Sequence, residues 1–185
     1  MGRLRYSALC SLDGYVADRD GGFEWAFPDE EVMALVNDLG DETPVQVYGR
    51  RTYELMTVWE TDPSVGDTPQ AARFAEQWVR ARKVVVSRTL DAVTTSRTEL
   101  VRELDGALVS DLTADADAVI GGPTVASAAF RQGLVDRVDL VVFPVTVGGG
   151  LAAMPTDLRV DLRLVTERRF AGGAVHLGYD VRREP

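Results

Sequence analysis

The sequence predicts an α/β fold: a mostly parallel, twisted sheet flanked by helices, with an antiparallel hairpin at its C-terminal end. Three observations carry this. Up to about residue 132, short apolar runs alternate with amphipathic stretches, the pattern of strand–helix–strand units. Lys83-Val84-Val85-Val86-Ser87 and Ala118-Val119-Ile120 are nearly continuous apolar runs, as strands covered on both faces must be. After residue 132 only strand patterns follow, and the last two are joined across Gly172-Gly173.

Taken in order, Leu4–Cys10 reads as the first strand, and Asp13-Gly14 as a turn. Residues 18–24 form a Gly/Asp-rich loop. Pro28-Asp29-Glu30-Glu31 is an acidic helix start, followed by the apolar stripe Val32, Leu35, Val36 and Leu39. Val45–Tyr48 is a short strand, and a second helix runs from Arg50 to Met56. Residues 60–69 read as a polar loop, and 70–80 as a helix. A strand is expected near Glu99–Arg102, with a short helix after it. Pro123 to Gln132 is a helix stopped by Gly133. A long strand interrupted by Pro144 is expected over Val138–Val147, and the terminal hairpin over Leu162–Phe170 and Val175–Arg182.

A length of 185 residues matches one domain spanning the chain, 1–185. With 45% hydrophobic and 26% charged residues, it has the composition of a folded domain and not of a disordered tract. Cys10 and His176 are the only residues of their types, so an intramolecular disulfide, a cysteine-based zinc site and a multi-histidine metal site are all excluded. No metal is expected. The net charge of −9 argues against nucleic acid as a partner. No run of 18 apolar residues suggests a membrane span, and no apolar leader precedes the first strand, which predicts a cytoplasmic protein.

Chemistry concentrates at three strand ends. Ile120-Gly121-Gly122-Pro123-Thr124-Val125 places two glycines before a helix whose first residue is proline. Unpaired N–H groups at such a start favour a phosphate. Val47-Tyr48-Gly49-Arg50-Arg51-Thr52 repeats the arrangement with two arginines and a hydroxyl. Val86-Ser87-Arg88-Thr89 ends a third strand with a hydroxyl and a guanidinium. Each alone is equally an ordinary turn or a solvated charge. Three of them at the carboxyl edge of one parallel sheet suit a ligand with separated phosphates, such as a dinucleotide.

These segments, with Ser11-Leu12-Asp13-Gly14-Tyr15-Val16-Ala17 and Asp136-Arg137-Val138-Asp139-Leu140 followed by Pro144–Gly150, resemble the dihydrofolate reductase-like superfamily. More closely, the chain is similar to the C-terminal reductase domain of riboflavin-biosynthesis deaminase-reductases in stand-alone form. The resemblance implies a dihydrofolate reductase-like sheet and NADPH as cofactor. It implies that Gly49, Arg50, Arg51 and Thr52, with Gly121, Gly122, Pro123, Thr124 and Val125, hold the pyrophosphate. Ser87 and Arg88 would hold the adenosine end, and Val16 would border the nicotinamide.

The expected activity is NADPH-dependent reduction of a small heterocyclic or carbonyl substrate, pterin- or pyrimidine-like, with a carboxylate or water supplying the proton. Trp25-Ala26-Phe27-Pro28-Asp29-Glu30 is similar to the Trp-x-x-Pro-x-Asp of folate enzymes, which makes Glu30 the candidate proton donor; Asp13 is the second candidate. As a plain helix start, Asp29 and Glu30 are also ordinary. Trp25, Tyr53 and Met56 are candidate substrate contacts. The alternative is a non-catalytic nucleotide-binding or small-ligand-sequestering module of the same fold. The apolar run Leu140–Phe143 with Val145, together with the pairing common in the family, predicts a homodimer.

Overall fold

A computed structural model describes residues 2–183. In chain order the elements are β1 (Leu4–Ser11), β2 (Tyr15–Ala17), α1 (Glu30–Asp41), β3 (Val45–Gly49), α2 (Arg50–Met56), α3 (Val58–Thr61), α4 (Pro69–Arg80), β4 (Arg82–Val86) and β5 (Thr98–Val101). Then come α5 (Gly106–Leu112), β6 (Ala118–Gly121), α6 (Pro123–Arg131), β7 (Arg137–Phe143), β8 (Leu151–Ala152), β9 (Leu162–Arg169) and β10 (Val175–Val181). Eight strands form one sheet in the order β5-β4-β3-β6-β1-β7-β10-β9, while β2 and β8 make a separate small ribbon. Strands β5 to β7 of that order are mutually parallel. β10 runs antiparallel to both β7 and β9. The expected mostly parallel sheet with its antiparallel C-terminal hairpin is therefore the observed architecture.

Alternation along the strands divides the sheet into two faces. Leu4 and Tyr6 of β1, Val47 of β3, Ile120 of β6 and Val138 of β7 pack with Leu112 of α5 and with Val125, Ala126, Ala129 and Phe130 of α6. The opposite face is covered in two separate places. Val32 of α1 packs on Val141 and Phe143 of β7, while Tyr53 of α2 and Trp78 of α4 pack on Tyr48 and Val85. Between those two clusters the sheet is left open as the floor of a cleft.

Helix ends follow the sequence chemistry. Asp29, Thr68 and Asp105 accept from the backbone N–H three residues on and cap α1, α4 and α5. Fully buried Lys83 donates to the Trp78 carbonyl at 2.7 Å, placing a cation at the C-terminal turn of α4. The helix expected from Pro28 starts at Glu30 because Asp29 is its cap. The polar stretch 60–69 contains the end of the one-turn helix α3 and a 3-10 turn over Pro63–Gly66. The late strand ends at Phe143, at the interruption expected from Pro144, which has no N–H to continue the ladder, and is not resumed as far as Val147.

Candidate functional site

Strands β3 and β6 are neighbours, so α2 and α6 start side by side at the carboxyl edge of the sheet. Gly122 takes φ 103°, a conformation an L side chain adopts only with strain. A Cβ on Gly122 would fall on Thr52 Oγ1, and one on Gly49 would lie 2.9 Å from Val125 Cγ2. Thus the two helix starts pack directly on one another. Among the described residues no side chain caps either start, unlike those of α1, α4 and α5, and uncapped helix starts are where backbone N–H groups bind anions.

The cleft measures about 970 Å³. Its floor is the open sheet face, with Arg5, Ser7 and Leu9 of β1, Gln46 and Tyr48 of β3, Val119 and Gly121 of β6, and Asp139 of β7. Val36 and Leu39 of α1 form one wall, and Arg51, Thr52, Leu55 and Met56 of α2 with Phe74 of α4 the other. The loop Val16–Gly21 and Phe23 close over one end, with Gly150 and Leu151 beside them.

Of the residues predicted for the site, Val16, Arg51, Thr52, Met56, Gly121, Gly122 and Pro123 line this cleft. Gly49 and buried Val125 stand behind it and set the helix packing. Thr124 is exposed on the first turn of α6. Arg50 pairs with Glu54 at 2.8 Å and reaches Thr89 Oγ1 at 3.4 Å, tying the start of α2 to the loop after β4. In that loop, Ser87 Oγ accepts from the N–H groups of Thr89 and Leu90. The Arg88 side chain is 78% exposed, with Glu103 3.8 Å away.

Four of the predicted residues lie outside the cleft lining. Glu30 is exposed on α1 and does not line the cleft. Asp13 is exposed and engaged: Ser11 Oγ donates to it at 2.6 Å, and the N–H groups of Gly148 and Val147 at 2.7 and 3.1 Å. Those hydrogen bonds hold its carboxyl below the usual range, which suits a loop clamp and not a proton donor. Trp25 packs with the cluster of Val32, Val141 and Phe143 and does not line the cleft. Tyr53 is 2% exposed, and its hydroxyl accepts from the N–H of Thr94 at 2.8 Å. It belongs to the core.

The sequence reading missed Arg5 and Asp139 on the floor. Burial alone would raise the Asp139 carboxyl. Hydrogen bonds from His176 and Arg137, with the charges of Arg137 and Arg5, outweigh it and hold the group below its ordinary value. The available signal was two charged residues, Arg137 and Asp139, inside an otherwise apolar strand.

Fold and cleft together define an α/β domain with a cleft at the carboxyl edge of a mostly parallel sheet, the edge where such sheets bind ligands. The RibD C-terminal domain model matches residues 3–175, and the chain belongs to that family. It is similar to the uncharacterized protein YyaP of Bacillus subtilis, with 24% identity over 96% of this chain and 94% of that protein. Among solved structures, a Shewanella sp. PV-4 protein named for riboflavin biosynthesis shares the fold at a TM-score of 0.77 and 21% identity, covering 98% of this chain and 99% of that one. A pyrimidine reductase-like protein of Corynebacterium diphtheriae does so at 0.68 and 17%, covering 99% and 93%. A Thermotoga maritima deaminase/5-amino-6-(5-phosphoribosylamino)uracil reductase matches at 0.63 and 16%; the alignment covers 98% of this chain and 57% of that enzyme. The family is that of the riboflavin-biosynthesis reductase domain. No helix among the described residues is long and apolar enough to cross a membrane.

Proposed function

We propose that the chain is an NADPH-dependent reductase of a small heterocyclic or carbonyl substrate, pterin- or pyrimidine-like. The observation that carries this reading is the pair of uncapped helix starts, α2 and α6, packed together at Thr52 and Gly122 beside one cleft. The residues fit a pyrophosphate: uncapped N–H groups on two helices, the Arg51 guanidinium, and a glycine where a side chain would intrude. Arg50, Ser87 and Arg88 would hold the adenosine end, and Val16 would border the nicotinamide. When bound, NADPH supplies a hydride. The chain orients the substrate over the open sheet face and walls it from solvent with Val36, Leu39, Met56 and Phe74.

Proton delivery falls to water. Asp13 is committed to its loop, Asp139 is ion-paired, and Asp18 accepts from the N–H groups of Asp20 and Gly22. The same commitments favour a second reading, a module that binds the nucleotide without turnover. Calorimetric titration with NADPH and NADH, followed by NADPH oxidation against a panel of carbonyl and pyrimidine compounds, separates the readings. Tighter binding of NADPH, weakened toward parity by Arg88→Ala, is expected with turnover of at least one compound. Binding without turnover selects the second reading, and no binding of either nucleotide rejects both.

A further inference from the structure

Away from the two helix starts, the cations that line the cleft are outnumbered by carboxylates. Among the described residues, Arg5 and Arg19 stand against Asp18, Asp20 and Asp139, two positive charges against three negative. Arg5 is held from several sides. Its Nη1 lies 2.6 Å from Glu42 Oε2 and 3.9 Å from Asp117 Oδ2, and its Nε lies 3.6 Å from Asp139 Oδ2. Arg19 is exposed but laid against the glycine loop. Its Nη2 donates to the Gly148 carbonyl at 2.9 Å, and a Cβ on Gly149 would meet its Nε at 2.6 Å. Asp18 and Asp20 flank it in the chain, and Asp20 is exposed. The remaining arginine of the cleft lining is Arg51, at the start of α2, where the reductase reading seats the pyrophosphate.

The rest of that half is carbon. Val36 and Leu39 of α1 form one wall, Met56 of α2 and Phe74 of α4 the other, with Leu9 on the floor. Ser7, half-buried, adds an uncharged hydroxyl to the floor. Helices α1 and α4 are tied together, where Gln77 Nε2 donates to the Asn37 carbonyl at 3.0 Å. An anion entering here gives up its water for apolar walls and finds each cation already facing a carboxylate or lying on the backbone. The excess of carboxylates also repels it. At an effective dielectric constant of about 20, one like charge ~8 Å away lowers affinity by more than about tenfold. We propose that the substrate half of the cleft selects an uncharged ring compound that carries neither phosphate nor carboxylate. The balanced charges of Arg5 and Arg19 set that choice together with the apolar walls. A phosphoribosyl compound, which the name of the Thermotoga maritima enzyme gives as its substrate, falls outside this class. The proposal deepens the reductase reading and rests on it for which half of the cleft takes the substrate.

The test is calorimetric titration with two matched pairs, 2-acetylnaphthalene against 2-naphthoate and 2-naphthol against 2-naphthyl phosphate. Each titration is run with NADP⁺ at saturation, which fills the helix starts, and again without it. With NADP⁺ present, each neutral compound is expected to bind about tenfold or more tightly than its anionic partner. Leu39→Lys places an unbalanced cation in the wall and is expected to bring 2-naphthoate to within about threefold of the ketone. Asp20→Lys changes an exposed residue, and it is expected to narrow the same gap by a smaller factor should the Leu39 variant not fold. Anions that bind the parent chain as tightly as the neutral compounds, no measurable binding of any of the four, or an undiminished gap in a folded lysine variant overturns the proposal. A neutral preference without NADP⁺ binding leaves it standing and rejects the reductase reading. NADP⁺ binding without a neutral preference does the reverse.

Discussion

Thr52 Oγ1 occupies the space that a Cβ on Gly122 would need, so the first turns of α2 and α6 are locked together at the mouth of the cleft. Gly122 also takes φ 103°. Replacing it by alanine imposes a left-handed conformation costing about 1–2 kcal/mol, before the clash with Thr52 is counted. Gly122→Ala is expected to lower Tm by several degrees, at about 2–4 °C per kcal/mol for a chain of this size. It should also weaken NADPH binding at least tenfold, as the helix starts separate. Thermal melts with and without NADPH check both effects. An alanine variant that melts and binds like the parent would show that the two helix starts are not coupled.

Asp13 and Glu30 make opposite predictions. Asp13 ties the glycine loop at Val147 and Gly148 to the end of β1. Asp13→Asn is expected to lower stability and to loosen that loop, seen as faster amide exchange at residues 147–150. Glu30, exposed and outside the cleft, should tolerate Glu30→Gln with NADPH affinity and any turnover within about twofold, as surface substitutions usually do. Loss of turnover on that change alone would restore Glu30 as the proton source.

The Asp139 carboxyl is held below its ordinary value in the folded chain. An unfolded aspartate titrates near about 3.9, so the folded state binds fewer protons there and gains stability above that pH. The gain is lost as pH falls through the folded value. Denaturant unfolding of the parent and of Asp139→Asn should show a stability gap that is widest near neutrality and narrows below about pH 4. A gap of constant size across that range would mean that ionisation of Asp139 contributes nothing.

The apolar run Leu140–Phe143 finds its partners within the chain, since β7 lies between β1 and β10. An apolar surface is offered instead by β9, the sheet edge, where Leu164 and Val165 are each 47% exposed. We propose a homodimer formed across that edge, which would cover a strand otherwise free to aggregate. Light scattering should give a mass near twice the 20.2 kDa of the chain, and Val165→Lys should return it to one copy. A single-copy mass for the unmodified protein would end the proposal.

Local signals were legible in the sequence. The run Lys83–Val86 reads as a buried strand because both faces are covered, and Asp29 and Gly133 mark helix ends through their own backbone chemistry. The glycine junctions at Gly49 and Gly121-Gly122 were legible for the same reason. What escaped depends on distant pairing. Asp139 joins the cleft floor only because β7 lies beside β1, with Ser7 opposite it. Tyr53 leaves the pocket because Thr94 and Thr95, 41 and 42 residues away, supply partners for its hydroxyl. Glu30 lies outside the cleft lining because the face of α1 that turns inward carries Val32, Leu35 and Val36. The ribbon of β2 with β8 is three residues against two, too short to leave a periodic pattern.

The most direct measurement is a crystal structure with NADP⁺ bound. The account predicts the pyrophosphate between the first turns of α2 and α6, its oxygens about 3 Å from backbone N–H groups there. The nicotinamide should lie against Val16, and the 2′-phosphate toward Arg88. A dinucleotide bound elsewhere, or no dinucleotide at saturating concentration, would contradict it.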